Sequence, residues 1–298
     1  MDGIVNVLKP VGMTSTDVVY WLKRKLKVNK AGHIGTLDPG AAGVLPICIG
    51  KAARLAEYHT MQTKAYRAEI KFGITTDTED SFGRILTQTK TEISRKDFLQ
   101  VTSNFLGDIC QIPPMYSSVR IQGKHLYDYA RKGLEVDRPE RQVSIDKLDL
   151  VEWYDEEYPR AIFDVTCSKG TYIRTLCTDI GQAMGCGAHM SFLVRTCSGV
   201  FGIEESRTFS EIELMLAEGS RDFLYPLDFG LALPKAEIPD HRVQAFKNGL
   251  PSSGLVPEED WGEEKPLQVI ARDAGSGEMI FCGIGIWKED SLFPYKVL

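Results

Sequence analysis

A chain of 298 residues with 43% hydrophobic content can bury a sizeable core, which sets disorder aside and leaves room for a main domain with a smaller one. The formal charge of −6 argues against a wholesale polyanion binder of the histone type but not against a local basic cleft, since charges more than roughly 8–10 Å apart are largely screened. Seven scattered cysteines without a C-x-x-C pair speak against zinc and a disulfide framework. With no signal-peptide pattern and no ~18-residue apolar run, a reducing cytoplasm is the expected home.

In chain order, Ile4 to Leu8 predicts a strand, stopped by the turn Lys9-Pro10-Val11-Gly12. Thr14-Ser15-Thr16-Asp17 supplies N-cap candidates for a helix whose apolar face is Val18, Val19, Trp21, Leu22 and Leu26. Its other face is basic, with Lys23, Arg24, Lys25, Lys27 and Lys30. Taken alone, that run suits a solvated helix face as well as a phosphate-binding edge. Ala31 to Gly40 then combines His33, Asp38, Pro39 and three glycines, the composition of a stiff loop that displays its carboxylate.

Ala41 to Gly50 is small and apolar, predicted to back that loop, and Lys51 to Tyr58 predicts a helix. From Lys64, alternation puts Tyr66, Ala68, Ile70 and Phe72 on one face of a half-buried strand, so Tyr66 is predicted to point inward. Thr75 to Gly83 is an acidic, Thr-rich loop without the closing glutamate of a calcium-binding EF-hand. A helix capped by Ser94 is predicted to Phe105, followed by the extended, proline-paired Gln111 to Arg120 and a helix over Tyr127 to Lys132.

A strand pair is expected at Arg141 to Trp153 and Arg160 to Cys167, then a turn into a helix through Asp179, Ile180 and Met184. A further helix, Ser210 to Glu218, ends the large unit. Beyond Pro226 the composition changes. A helix at Asp240 to Gly249, an acidic linkage at Glu258 to Glu264, and strands Leu267 to Arg272 and Met279 to Trp287 predict a small β-rich domain over Pro234 to Leu298.

A carboxylate on a rigid loop can be a general base, a nucleophile or a metal ligand. Near Asp38 the sequence offers no second ligand for a metal, no G-x-S-x-G nucleophile turn and no phosphate-loop spacing. A basic or nucleophilic aspartate remains, with Tyr66, Tyr172 and Arg174 as candidate companions from distant segments. An arginine within about 4 Å is worth roughly 4 kcal/mol at an effective dielectric near 20, enough to keep such an acid ionised, and tyrosine faces can stack a planar base.

The runs Lys9-Pro-Val-Gly-Met-Thr-Ser15, Gly32-His-Ile-Gly-Thr-Leu-Asp-Pro39, Gln111-Ile-Pro-Pro-Met-Tyr-Ser117 and Lys169-Gly-Thr-Tyr-Ile-Arg174, with Leu193 and Arg195, resemble the motifs of the TruB family of tRNA pseudouridine synthases. The tail resembles, more weakly, a PUA RNA-binding domain. The resemblance implies an α/β (α+β) pseudouridine synthase fold with a mixed, largely antiparallel sheet over residues 1–230, and a small β-barrel-like PUA domain over 234–298. It implies isomerisation of uridine to pseudouridine in the T-loop of tRNA, with no metal or organic cofactor. The partner implied is the tRNA T-stem-loop, with no membrane and a monomeric protein.

On the matching positions Asp38 would be the nucleophile, attacking either the sugar C1′ or uracil C6. Tyr66 would stack on the target base and assist proton removal at C5, and Arg174 would pair with Asp38. Tyr172 and Leu193 would line the pocket, His33 would fill the space left by the flipped nucleotide, and Lys9, Gln111 and Lys169 would contact substrate. The basic helix face and the Gln111 to Lys124 segment would hold phosphates. Ser118 stands where alanine is common, and Val194 replaces a frequent arginine, leaving Arg195 as the only arginine of its run. Two other readings stand beside this one: a tRNA-folding chaperone with a vestigial pocket, and a metal-dependent hydrolase.

Overall fold

The computed structural model describes residues 1–255 and 263–298, so most of the predicted acidic linkage at 258–264 lies outside the described residues. Two sheets organise the chain. In the larger, ten-stranded one, eight strands run in the order Leu224–Tyr225, Gly3–Lys9, Ala42–Ile49, Ala188–Ser198, Lys64–Phe72, Arg160–Cys167, Arg141–Tyr154 and Gly107–Gln111. The short strands Ala31–His33 and Phe201–Gly202 attach to Ala42–Ile49 and Ala188–Ser198. The neighbours pair antiparallel except Ala42–Ile49 with Ala188–Ser198, which run parallel, so the sheet is mixed and largely antiparallel as expected.

Alternation along the strands feeds two cores. Leu45, Ile47 and Ile49 face one side with Val5 and Val7, where the helices Ser15–Leu26, Arg95–Thr102, Ile173–Ala183 and Phe209–Ala217 cover them. Val44, Cys48 and Ile4 face the other side, packed with Ile34 and Phe201. The predicted strand from Lys64 is present as Lys64–Phe72, with Ala68, Ile70 and Phe72 fully buried.

The first helix shows why local sequence matters for the site. Thr14, not Ser15, is its N-cap: Thr14 Oγ1 accepts from Asp17 N at 3.1 Å, and Asp17 accepts from Thr14 N at 2.9 Å. The hydroxyl of Ser15 is thereby left for a tertiary partner. The predicted Lys51 to Tyr58 helix is split into a 3₁₀ turn, Gly50–Arg54, and a short α-helix, Ala56–Thr60. The predicted Tyr127 to Lys132 helix spans Leu126–Ala130.

The second sheet has five strands, in the order Lys235–Ile238, Pro266–Arg272, Met279–Lys288, Ser291–Val297 and Ser252–Ser253. It has its own core of Ala236, Ile238, Phe246, Leu267, Val269 and Leu292. Its last hairpin turns on Glu289 and Asp290, both at positive φ (49° and 55°), the backbone of a tight two-residue β-turn. Lys296 Nζ reaches back to Arg54 O at 2.7 Å and to Glu57 at 2.6 Å, tying the two units together.

Candidate active site

The stretch from Gly32 to Gly40 leaves the sheet after Ala31–His33 and rejoins it at Ala42. Part of it is therefore strand rather than loop. Its buried Ile34 and Leu37 alternate with exposed Thr36 and Pro39, and three side chains from far away bond its backbone. Arg195, 1% exposed, donates from Nε to Val44 O at 2.7 Å and from its two terminal nitrogens to Gly35 O at 3.1 Å and Thr36 O at 3.3 Å. Ser15 Oγ accepts from Leu37 N at 2.8 Å and donates to Leu37 O at 2.9 Å. Lys9 Nζ, fully buried, donates to Ala41 O at 2.7 Å and Pro10 O at 2.9 Å, with Pro39 O at 3.5 Å. Held at Gly35, Thr36, Leu37, Pro39 and Ala41, the chain has little freedom left at Asp38.

The Asp38 carboxylate opens into a cavity of about 990 Å³. Its Oδ2 sits 2.9 Å from Arg174 Nε, in an ion pair whose arginine side chain is 5% exposed and whose aspartate is 39% exposed. Arg174 spends its other nitrogens on Thr78 O at 3.1 Å and Tyr116 O at 2.9 Å, so the guanidinium plane is fixed from three directions. It also lies in the first turn of the Ile173–Ala183 helix, whose N-terminus adds positive potential on the side facing Asp38.

Tyr66, Tyr172, Leu193 and His33 all line the same cavity. Tyr66 lies opposite Arg195 in the pairing of Lys64–Phe72 with Ala188–Ser198. Burial pushes its phenol above the ordinary value while the Arg195 guanidinium pulls partly back, so the hydroxyl stays protonated near neutral pH. Burial, with Arg195 adding to it, lowers His33, which makes it a neutral ring in the cavity wall. His33 Nδ1 and Ser117 Oγ are both buried in that wall without a hydrogen-bond partner. On the far rim, Tyr127 stacks on His125 with centroids 4.9 Å apart, and Arg131 lies 5.4 Å from the Tyr127 ring centre.

Asp38, Tyr66, Arg174, His33, Tyr172 and Leu193, drawn from four separate segments, therefore converge, and Lys169 joins them at the rim. Lys9 and Gln111, expected to contact substrate, stand behind the wall instead. Gln111, 2% exposed, accepts from Tyr172 N at 3.0 Å and donates to Tyr172 O at 3.2 Å, clamping the peptide that starts the Arg174 helix. Lys9 is pushed down to about 8, chiefly by burial, with Asp38 drawing it partly back. The basic residues of the first helix lie outside the cavity wall, and Lys25 pairs with Glu213.

Sequence reasoning missed the anchoring roles of Ser15 and Arg195. In the sequence Ser15 reads as a cap candidate and the end of a motif, and Arg195 as the arginine left in its run; an arginine directly after the apolar Phe192-Leu193-Val194 is the available signal. Among the described residues, no group of three or more His, Cys, Asp or Glu side chains comes together as a metal ligand set. Among the same residues no helix is long and apolar enough to cross a membrane. The arrangement offers one partly exposed carboxylate with a fixed counter-charge, between aromatic faces and a neutral imidazole, in space sufficient for a planar ring system.

Comparison with known proteins meets this geometry. Residues 23–173 match the model of the TruB family pseudouridylate synthase N-terminal domain, and residues 174–232 that of the tRNA pseudouridylate synthase B C-terminal domain. The chain is 42% identical to tRNA pseudouridine synthase B of Heliobacterium mobile over 301 residues, covering 100% of this chain and 95% of the relative. It is 49% identical to the protein of the same name from Alkaliphilus oremlandii over 250 residues, covering 84% and 82%. Among solved structures, a chain of a Cbf5-Nop10-Gar1 complex superposes with a TM-score of 0.73 at 26% identity, covering 99% of this chain and 84% of that one. A chain of an H/ACA RNP bound to a substrate RNA containing 2'-deoxyuridine gives 0.71 at 25% identity, covering 99% and 84%.

Proposed function

The chain belongs to the TruB family of pseudouridylate synthases, and on that premise we propose that it isomerises a T-loop uridine of tRNA to pseudouridine, with Asp38 as the nucleophile. The observation that carries this reading is the Asp38–Arg174 ion pair at 2.9 Å, set in a cavity that Tyr66 and Tyr172 also line. The product has the atoms of the substrate: the N1–C1′ bond breaks, a C5–C1′ bond forms, C5 gives up its proton and N1 ends with one. No oxidant, reductant or group donor is needed. A transient covalent link through the Asp38 carboxylate, at C1′ or at C6, would hold one fragment while the base turns.

Arg174 holds the carboxylate aimed, because its remaining nitrogens are committed to Thr78 and Tyr116. Tyr66 offers a flat face to the base and a protonated hydroxyl, suited to relaying the C5 proton rather than carrying charge. The neutral His33 ring fills the gap that the extruded nucleotide leaves, at no cost in buried charge. Tyr172 and Leu193 close the walls around the base, and Lys169 at the rim meets phosphate. Lys9 and Gln111 serve by holding the backbone on either side of the cavity.

Residues 1–230 form the catalytic unit in this reading and 234–298 a PUA-like unit that contacts RNA, with a hydrophobic core of its own in support. The working form is a monomer in the cytoplasm, since this one chain supplies every residue of the proposed machinery. The test is Asp38→Asn with a T-loop minihelix and full tRNA. The variant is expected to bind RNA and form no pseudouridine, while mapping at nucleotide resolution places the wild-type product in the T-loop. Product from Asp38→Asn at the wild-type rate would remove Asp38 from the mechanism.

A further inference from the structure

Phe82 is 73% exposed, on the loop between the strands Ile74–Thr76 and Ile85–Gln88. The loop that carries it is braced throughout. Asp77 N donates to Arg84 O at 3.1 Å, and the Asp77 carboxylate accepts from Arg84 N at 2.8 Å. Asp80 Oδ1 accepts from Phe82 N at 3.0 Å and from Thr78 Oγ1 at 2.6 Å, and Ser81 Oγ donates to Ser191 O at 2.7 Å. Glu79 is held in the left-handed region at φ 64°, its carbonyl accepting from Met190 N at 3.0 Å. A non-glycine residue persists there only where its surroundings over-determine it. This loop therefore presents a phenyl ring to water from a fixed backbone.

The position of the ring is specific. It rests on the nucleophile's own loop, so closely that a methyl group added at Gly40 would meet Phe82 Cε2 at 2.1 Å. It also lines the mouth of the cavity into which Asp38 projects. The aromatics of the opposite rim, His125 and Tyr127, stack on each other, whereas Phe82 has no ring partner among the described residues. Asp77, Asp80 and Arg84 flank it with charges of both signs, so what the exposed ring itself offers an RNA chain is a face for a base.

We propose that Phe82 is a stacking platform for the nucleobase adjacent to the flipped uridine. Extrusion of one base exposes a face of the neighbour on either side; with His33 inside the gap, a preset aromatic ring beside the entrance covers the neighbour that His33 does not. Because every base has a π-face, the contact strengthens binding without reading sequence. The inference rests on the reading of Asp38 as the centre of uridine isomerisation, and it adds a substrate-positioning residue to that site.

The test measures minihelix binding in an Asp38→Asn background and pseudouridine formation in the active protein, for Phe82, Phe82→Ala, Phe82→Leu and Phe82→Tyr. Phe82→Ala is expected to weaken binding about tenfold and to raise KM by a similar factor with a much smaller change in kcat. Phe82→Tyr restores binding and Phe82→Leu does not. Minihelices with one abasic site at each loop position should include one that weakens the Phe82 protein about tenfold yet leaves Phe82→Ala no weaker than before. Equal binding by Phe82 and Phe82→Ala, full rescue by leucine, or identical abasic penalties in both proteins would overturn the proposal. Absence of pseudouridine from wild type would defeat the underlying functional reading, while the binding comparison would still decide the fate of Phe82.

Discussion

Arg195→Lys tests most directly how the Asp38 loop is held. The substitution keeps the positive charge but replaces a planar fork by a single ammonium head. In the native protein three bonds of 2.7, 3.1 and 3.3 Å hold Val44 O, Gly35 O and Thr36 O, in a place 1% exposed where solvent does not substitute for them. A lysine head can keep about one. Losing two bonds from a charged donor, at about 1.5–3 kcal/mol each, gives about 3–6 kcal/mol before relaxation, against a total stability of roughly 5–15 kcal/mol. The assay is urea unfolding beside single-turnover pseudouridine formation at saturating RNA. The expected result is a lower midpoint at unchanged m-value and a slower chemical step, because the backbone before Asp38 is no longer pinned. A variant with wild-type midpoint and wild-type rate would refute the claim that Arg195 holds the loop.

Two further outcomes follow from the same packing. Gly43, at φ 110°, faces the Arg195 backbone so closely that a Cβ would lie 2.2 Å from Arg195 O, so Gly43→Ala should lower the melting temperature sharply; an unchanged melting curve would contradict that packing. His59, buried beside Phe201 with neither ring nitrogen partnered, is pushed down to about 4, first by burial and then by Lys64. Below the unfolded value of 6.5 the unfolded chain takes up a proton that the folded chain refuses, so stability falls as pH drops from 6.5 towards 4. Asp179, pushed up to about 6 by burial and Glu79, works in the opposite sense over an overlapping range. The informative quantity is therefore the stability of His59→Phe relative to wild type, expected to shift in favour of the variant by about 2 kcal/mol between pH 7 and 4.5. Parallel pH curves for the two proteins would rule the effect out.

What the sequence discloses follows the range of the interactions concerned. The capped helix Ser15–Leu26 and the alternating strand Lys64–Phe72 are written within a few residues, in Thr14 with Asp17 and in the period of two. The hairpin of Arg141–Tyr154 with Arg160–Cys167 is legible for the same reason. The neighbour of Ala42–Ile49 is not, because its parallel partner lies some 150 residues away and periodicity carries no strand order. Ser291–Val297 escapes because Pro294 and mixed burial hide its alternation, and Ala31–His33 because a glycine sits in a three-residue strand.

The site divides along the same line. Asp38, Tyr66 and Arg174 are chemically conspicuous and could be named from residue type and motif. Lys9 and Gln111 share those motifs, yet their partners are backbone atoms that only the tertiary fold brings near. Buried cations and amides that bond to carbonyls look, in sequence, the same as those that bind phosphate.

The anchoring of the Asp38 loop also sets when, during synthesis, its carboxylate can be aimed. The loop is complete in sequence by Gly40, but Arg195 reaches Val44 across 151 residues and arrives only with the strand Ala188–Ser198. Until that strand inserts between Ala42–Ile49 and Lys64–Phe72, the carbonyls of Gly35 and Thr36 lack this partner, and Arg174 is itself far along the chain from Asp38. A chain emerging N-terminus first therefore presents Asp38 before the side chain that pins its loop has been made. Cotranslational folding would complete the site in one late step, and a truncated chain ending before Arg195 would keep the Asp38 carboxylate without the side chain that pins its loop.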